Sequence, residues 1–174
     1  MKRLFIISLL FLSVGFCQNK NDEPNPMKGV KTQIESIYEF EEKFGEFNDI
    51  FKGETISRYD PNGNKVESSW YDSDGSIDDK YIYTYDSNGN QVEKTNYDSD
   101  GSLIWKTISK YNSNGNKVES SWYNYSDGSL KDKSISKYDT KNRIVELIKY
   151  NFGLKFGQLQ QTLTEKYIYE YEEY

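Results

Sequence analysis

Hydrophobic and polar positions alternate along most of this chain, and glycine or asparagine interrupts the alternation every 12–14 residues. Side chains of a strand point to opposite faces with a period of two, so this is the signature of short, half-buried strands joined by tight turns. Segments such as 64–71 and 76–85 run about 8–10 residues between turns, or roughly 25–33 Å of strand. A helical reading fails, because glycine and asparagine recur too often and β-branched and aromatic residues fill the segments. The expected fold class is all-β: an antiparallel meander of tandem β-hairpins in a single extended, twisted or curled sheet.

The meander is a repeat. Aligning Tyr59, Tyr85, Tyr111 and Tyr138 gives spacings of 26, 26 and 27 residues. Each unit runs Tyr-Asp/Asn-x-Asn-Gly-Asn-x-Val-Glu, then to a second tyrosine, then Ser-Asp-Gly-Ser-Leu/Ile, a lysine and a strand back to tyrosine. The extra residue of the third unit falls at Tyr123-Asn124-Tyr125-Ser126, beside a turn, where an insertion disturbs least. Each unit therefore holds two turns. Asn62-Gly63, Asn88-Gly89 and Asn114-Gly115 are strong hairpin signals and predict two-residue type I′ loops. Asp74-Gly75, Asp100-Gly101 and Asp127-Gly128 mark the opposite end of the strands. In the fourth unit Asn142 fills the glycine column, asparagine being the next residue most tolerant of left-handed φ.

Two-residue loops set a register. They place Tyr59 opposite Val66, Tyr85 opposite Val92, Tyr111 opposite Val118 and Tyr138 opposite Val145, an aromatic against a β-branched residue each time. Even loops at the Asp-Gly turns then gather Val66, Trp70, Ile77, Tyr81, Tyr83 and Tyr85 on one face and Lys65, Glu67, Ser69, Asp78 and Lys80 on the other. A three-residue loop with a glycine bulge is the alternative that would change this register. The glutamate column Glu67, Glu93, Glu119, Glu146 and the lysine column Lys80, Lys106, Lys133 read as a solvated, register-keeping ladder. At the N-terminal end, 30–59 reads as a diverged first unit, with a short helix over Ile34, Ile37, Tyr38, Glu41 and Phe44 as the alternative. At the other end, Asn151-Phe152-Gly153 and Phe156-Gly157 are the last turn signals. Leu163–Tyr171 is expected to be a closing strand whose edge Glu170, Glu172 and Glu173 blunt.

The motif Tyr-Asp-x-Asn-Gly-Asn-x-Val-Glu resembles the YD repeats of RHS proteins. Residues 30–174 as a whole resemble secreted Bacteroidetes proteins with tandem YD-like or MORN-like hairpins. The resemblance implies a non-enzymatic repeat architecture. In RHS proteins such repeats build a large shell around a toxin, for which 174 residues are far too few.

Before the repeat, residues 1–17 carry Lys2 and Arg3, an apolar run from Leu4 to Leu12, and then Ser13-Val14-Gly15-Phe16-Cys17, the three regions of a secretory signal peptide. Cys17 is a candidate lipidation site in a loose lipobox. In the competing reading the cut falls after Cys17 and leaves Gln18 first, the segment Gly-Phe-Cys-Gln resembling Bacteroidetes signal peptides. Residues 18–29 are polar and proline-containing, which predicts a flexible linker. The expected location is therefore exported: extracellular, periplasmic or on the outer-membrane surface, with membrane contact only through a lipid on Cys17.

Composition narrows the chemistry. The formal charge is −6, and an acidic chain lacks the electrostatic footprint of a nucleic-acid binder. Hydrophobic residues make up 35% and aromatics 16%, so rings carry much of the apolar surface. There is no histidine, which removes the usual general base and any Ser-His or Cys-His nucleophile. The Asp-rich turns place glycine too early for a calcium loop and lack its distal glutamate. A glycosidase needs a unique carboxylate pair in a cleft, whereas these acids repeat in every unit. No enzyme, cofactor or metal site is expected. The candidate ligand face is Trp70, Tyr81, Tyr83, Trp105 and Trp122, joined by Tyr111, unless these rings simply form the core. The expected function is a surface or extracellular module binding protein or carbohydrate. A structural or toxin-accessory repeat protein is the alternative, and a glycan-acting enzyme the weakest one.

Overall fold

The computed structural model describes residues 25–125, 128–155 and 158–174. They form one open antiparallel sheet in strict sequence order: β1 (Thr32–Lys43), β2 (Glu46–Tyr59), β3 (Lys65–Asp72), β4 (Ile77–Tyr85), β5 (Gln91–Tyr97), β6 (Leu103–Tyr111), β7 (Lys117–Asn124), β8 (Leu130–Tyr138), β9 (Ile144–Lys155) and β10 (Gln158–Ile168). The all-β meander of hairpins is thus the observed architecture. β1 is continuous strand through Ile34, Tyr38 and Glu41, so the helical alternative for that segment is wrong. β9 likewise runs straight through Asn151-Phe152-Gly153, which is not a turn. The calls on Cys17, the leader and Phe156-Gly157 lie outside the described residues.

The turns depart from expectation in one consistent way. In the β4–β5 hairpin the Gly89 N–H donates to Asp86 O (3.0 Å) and the Asp86 N–H to Asn90 O (2.9 Å). Only the glycine has positive φ (75°), whereas a type I′ loop would need it at Asn88 as well. The loop therefore has three residues, a type I turn closed by a glycine bulge. The same bond pair recurs at Asp60/Gly63/Asn64, Asp72/Gly75/Ser76, Asp98/Gly101/Ser102, Asn112/Gly115/Asn116 and Asp139/Asn142/Arg143. Asn142 takes the glycine place with φ 62°, as the column predicts. The side chain that opens the turn explains the choice at Asp60, Asp86, Asp98, Asn112 and Asp139, while in the turn opened by Asp72 it is Asp74 that accepts the Ser76 N–H. Asp86 Oδ1 accepts the backbone N–H groups of Asn88 and Asn90, which favours the type I path over the two-residue one.

Three residues after the loop's last residue comes a second irregularity. Tyr85 is paired with Gln91 and Thr84 with Glu93, leaving Val92 as the extra residue of a β-bulge. Val66, Val118 and Val145 are skipped in the same way opposite Tyr59, Tyr111 and Tyr138. The expected direct Tyr–Val pairs are therefore replaced by Tyr59–Lys65, Tyr85–Gln91, Tyr111–Lys117 and Tyr138–Ile144. The Asp-Gly hairpins bulge too, at Asp78, Ile104 and Lys131. As a result Ile77 pairs with Tyr71 and leaves the face of Trp70, where even loops would have put it. The tyrosine column gains a different role from the expected one. The Tyr85 hydroxyl donates to Lys65 O, Tyr111 to Gln91 O, Tyr138 to Lys117 O and Tyr171 to Ile144 O, at 2.8–3.0 Å. Each ring thus reaches back one unit and satisfies a carbonyl at the strand end beside the preceding bulge.

No hydrophobic side chain among the described residues is buried. The buried side chains are small and polar: Ser57, Ser68, Ser69, Thr95, Asn96, Ser109 and Ser121 among them. They lie opposite long neighbours, as Ser68 opposite Tyr81, Ser69 opposite Lys80 and Ser121 opposite Lys133, whose stems and rings cover them. One face, the ionic face, carries the glutamate column flanked by cations. Glu67 is held by Arg58 and by Lys80 (3.0 Å), Glu119 by Lys110 and Lys133 (2.9 Å each), and Glu146 by Lys137 (2.7 Å) and Lys166 (3.0 Å). Hydrogen bonds from Lys110 and Lys133 hold the Glu119 carboxyl below the ordinary carboxylate range. The pairing shows the expected ladder for Glu67 with Lys80 and Glu119 with Lys133, whereas Glu93 accepts from the Thr95 hydroxyl (3.2 Å) and Lys106 lies over the Tyr123 and Tyr125 rings.

Candidate functional site

The opposite face is built from the tryptophan column and its partners. Pairing places Ser68–Tyr81–Asn96–Trp105–Asn124 in one row across β3 to β7 and Tyr83–Lys94–Thr107–Trp122–Asp132 in the next across β4 to β8. Trp70, two residues from Ser68, sits between Thr55 and Asp79. All five predicted ring residues, Trp70, Tyr81, Tyr83, Trp105 and Trp122, therefore share this face. All five are half-buried, so none is a core residue. The rings stand on a single layer with polar side chains interleaved among them.

Each tryptophan faces an acid or amide across its own hairpin: Trp70–Asp79, Asn96–Trp105 and Trp122–Asp132. In the middle unit the order is reversed, with Asn96 in the tryptophan column and Trp105 in the aspartate column. The reversal joins the units. Asn96 Nδ2 donates to Asp79 Oδ1 (3.0 Å), so Trp70, Asp79, Asn96 and Trp105 form a continuous row of ring, carboxylate, amide and ring. Asn151 Nδ2 donates to Asp132 Oδ1 (3.1 Å) beyond Trp122 in the same manner. Trp70 gains its place through Gly53, where a Cβ would lie 3.1 Å from the indole and 2.3 Å from Tyr71 O.

At the centre stands Lys94. Its ammonium lies 4.4 Å from the Tyr81 ring centroid, 5.4 Å from Trp105 and 5.7 Å from Tyr83, within cation–π range of all three. Tyr81 and Trp105 meet at 6.0 Å and 53°. Burial pushes the Tyr81 and Tyr83 hydroxyls above the ordinary tyrosine range, with the Asp79 charge adding to the effect at Tyr81. Both phenols therefore stay neutral donors well above neutral pH.

Sequence reasoning found the rings and missed Lys94, Asp79 and Asn96. The signal was present in the repeat columns: Lys94 replaces the serine of Glu67-Ser68 and Glu119-Ser120, and Asn96 replaces the tryptophan of the flanking units. Tyr111 is a structural residue, its hydroxyl on Gln91 O. No group of three or more acid, histidine or cysteine side chains among the described residues is arranged to hold a metal ion.

Comparison with known proteins places the repeat, not the activity. The profile of a family described as a protein of unknown function (DUF2963) matches residues 52–96 and again 77–121, two windows 25 residues apart, about one repeat. No curated protein matches the chain. Among solved structures, a protein of unknown function from Bacteroides fragilis NCTC 9343 is similar at 17% identity and a TM-score of 0.42, over 81% of this chain and 94% of that one. A porin-like protein from Bacteroides uniformis ATCC 8492 is similar at 10% identity and a TM-score of 0.28, over 76% of this chain and 84% of that one.

Proposed function

We propose that this chain is an exported, non-enzymatic binding module of the YD-like hairpin-repeat kind, and that its ring face holds carbohydrate. The observation that carries the reading is the row Trp70–Asp79–Asn96–Trp105. Flat rings suit the C–H faces of sugars, and a planar carboxylate and amide set between them suit hydroxyls. An apolar protein partner would call for an apolar centre with the polar groups at the rim, and here Asp79, Lys94 and Asn96 lie among the rings. Export rests on the basic and apolar segments of residues 1–17, and a lipid on Cys17 would supply the anchor.

The test is binding of the full chain to a glycan array alongside a pull-down on cell-surface extract, repeated with Trp70→Ala and Trp122→Ala. Loss of roughly fivefold in affinity with an unchanged far-UV circular dichroism spectrum is expected, since a stacked ring is worth about 1 kcal/mol. A glycan hit that survives both substitutions would move the site off this face. Absence of any glycan hit, with protein captured instead, would refute the carbohydrate reading.

A further inference from the structure

The exposed apolar surface of the sheet is concentrated at its two ends. Across β3–β8 and their turns only Ile104 and Tyr125 are exposed large hydrophobics among the described residues; the others lie in the β1–β2 hairpin or in β10 and the tail after it. β1 and β10 are the two open edges. A terminal unit that ends a repeat array carries a polar outer side, and here exposed rings and aliphatic side chains interrupt the polar residues of both edge strands. Ile34, Tyr38 and Phe40 of β1 are 60%, 50% and 71% exposed, and Leu163 and Ile168 of β10 are 56% and 58% exposed.

Three features of these edges fit each other. The first is the face. Ile34 pairs with Ile56, and Tyr38 and Phe40 follow it by alternation, while Leu163 pairs with Tyr150 and Ile168 with Glu146, so all five project on the ionic face. The second is direction. Ten strands in up-and-down order leave β1 and β10 antiparallel, so β10 of one copy meets β1 of another as an ordinary antiparallel neighbour with both faces continuous. The third is length. The β1–β2 ladder continues past Gly53–Asp72, where β3 stops, and the β9–β10 ladder continues past Asp132–Asn151, where β8 stops. Both terminal hairpins project at the same end of the sheet.

We propose that copies of this chain dock head to tail, β1 of one continuing the sheet beyond β10 of another. Levelling the last described pairs of the two hairpins, Lys43–Glu46 and Lys155–Gln158, sets the register. Leu163 then faces Tyr38 of the next copy, Ile168 faces Ile34, and the bulge residue Thr164 absorbs the offset between them. On the other face the uncharged Gln160 and Thr162 meet Glu41 and Glu39. Charge selects this arrangement over its rival: a two-fold β1–β1 pairing sets Glu35, Glu39 and Glu41 against one another, which destabilises a ladder. A head-to-tail contact of this kind does not close on itself in a pair and extends into rings or filaments.

The experiment uses the full chain with Cys17→Ser, Cys17 being its only cysteine. Chains carrying Ile34→Cys and chains carrying Ile168→Cys are oxidised separately and mixed. A disulfide dimer that forms in the mixture and far less in either chain alone supports the proposal. So does a mass above monomer in light scattering that rises with concentration and is lost in Tyr38→Lys. Should Tyr38→Lys fail to fold, the mixing experiment still decides. Self-crosslinking of Ile34→Cys alone would establish the two-fold pairing and overturn the proposal. An internal disulfide in monomers of the doubly substituted chain, which would mean a closed barrel, or a monomer without crosslinks at all concentrations, would overturn it equally.

Discussion

Gly63→Ala and Gly89→Ala are a matched pair, and their difference isolates one interaction. Both glycines close the same three-residue loop, with φ of 84° and 75°. An alanine at either pays the left-handed backbone penalty, about 1–2 kcal/mol. Their surroundings differ. The nearest atom to a Cβ at Gly89 is Asn64 Oδ1 at 4.0 Å, an ordinary contact. A Cβ at Gly63 would lie 2.5 Å from Asn25 Nδ2, 2.7 Å from Lys28 N and 2.8 Å from Met27 C. Two of those atoms are backbone, so the segment 25–30 must lift off the turn. It then loses the bond from Asn25 Nδ2 to Asn62 O (3.1 Å), worth about 0.5–1.5 kcal/mol net. Gly63→Ala should therefore cost about 1 kcal/mol more than Gly89→Ala. With a urea slope on the order of 2 kcal/mol per molar, the unfolding midpoints followed by tryptophan fluorescence should differ by roughly 0.5 M. In a chain starting at residue 31 the two substitutions should cost the same. Equal cost in the full chain, or a difference that persists without residues 25–30, would refute the reasoning.

Tyr85→Phe removes the donor to Lys65 O and should destabilise by about 1 kcal/mol, read from the thermal midpoint; Tyr59→Phe, whose hydroxyl bonds only the exposed Gln33 side chain, should cost less. Glu119 and Glu146 have carboxyls held below their ordinary range by lysine hydrogen bonds, so their contribution is full above the unfolded carboxylate range and is lost as pH falls through the lowered values. Wild type should accordingly lose urea resistance between about pH 5 and 3, and Glu119→Gln, weaker at pH 7, should show a shallower fall; parallel pH curves would count against the ladder as the source. Labelled palmitate should enter the expressed chain and be lost in Cys17→Ser; a wild-type chain without label removes the lipid anchor.

Strand order and the five-ring face were legible because they depend on alternation and on turn residues, both local. Register was not. Asn-Gly favours a two-residue loop in isolation, but the Asp or Asn two residues before that asparagine captures the turn's own N–H groups, as Asp60 does with Asn62 and Asn64 (2.9 and 2.8 Å). The following bulge at Val66 and its equivalents then shifts the pairing. The two departures partly cancel, which is why Trp70, Tyr81 and Tyr83 still share a face while Ile77 changes sides. Lys94 escaped notice because a lysine in an alternating strand reads as solvent-facing; only its departure from the serine column marked it.

A sheet one layer thick explains the low hydrophobic content of the chain. With nothing packed above or below, a Leu- or Val-rich face would stay wet, so 35% hydrophobic residues is a consequence of the architecture and not a deficit. Stability must then come from within the layer: ladder bonds, Lys–Glu–Lys triples across three strands, and rings lying over serines. Tyrosine serves this need better than phenylalanine, since its ring covers a neighbour while its hydroxyl reaches a carbonyl 20 residues back, from Tyr85 to Lys65 or Tyr111 to Gln91. The ionic face can be fully satisfied by such pairs, because charge and countercharge lie on adjacent strands. The ring face is not satisfied in this way: Trp70, Trp105 and Trp122 stay half-buried beside their aromatic, amide, carboxylate and lysine neighbours, with no second layer packed on them. Two unmet surfaces follow from one cause, the ring face for a ligand and the strand edges for another copy, and they are independent because the edge residues project on the ionic side. Assembly along the edges would therefore repeat the ring face from copy to copy without covering it.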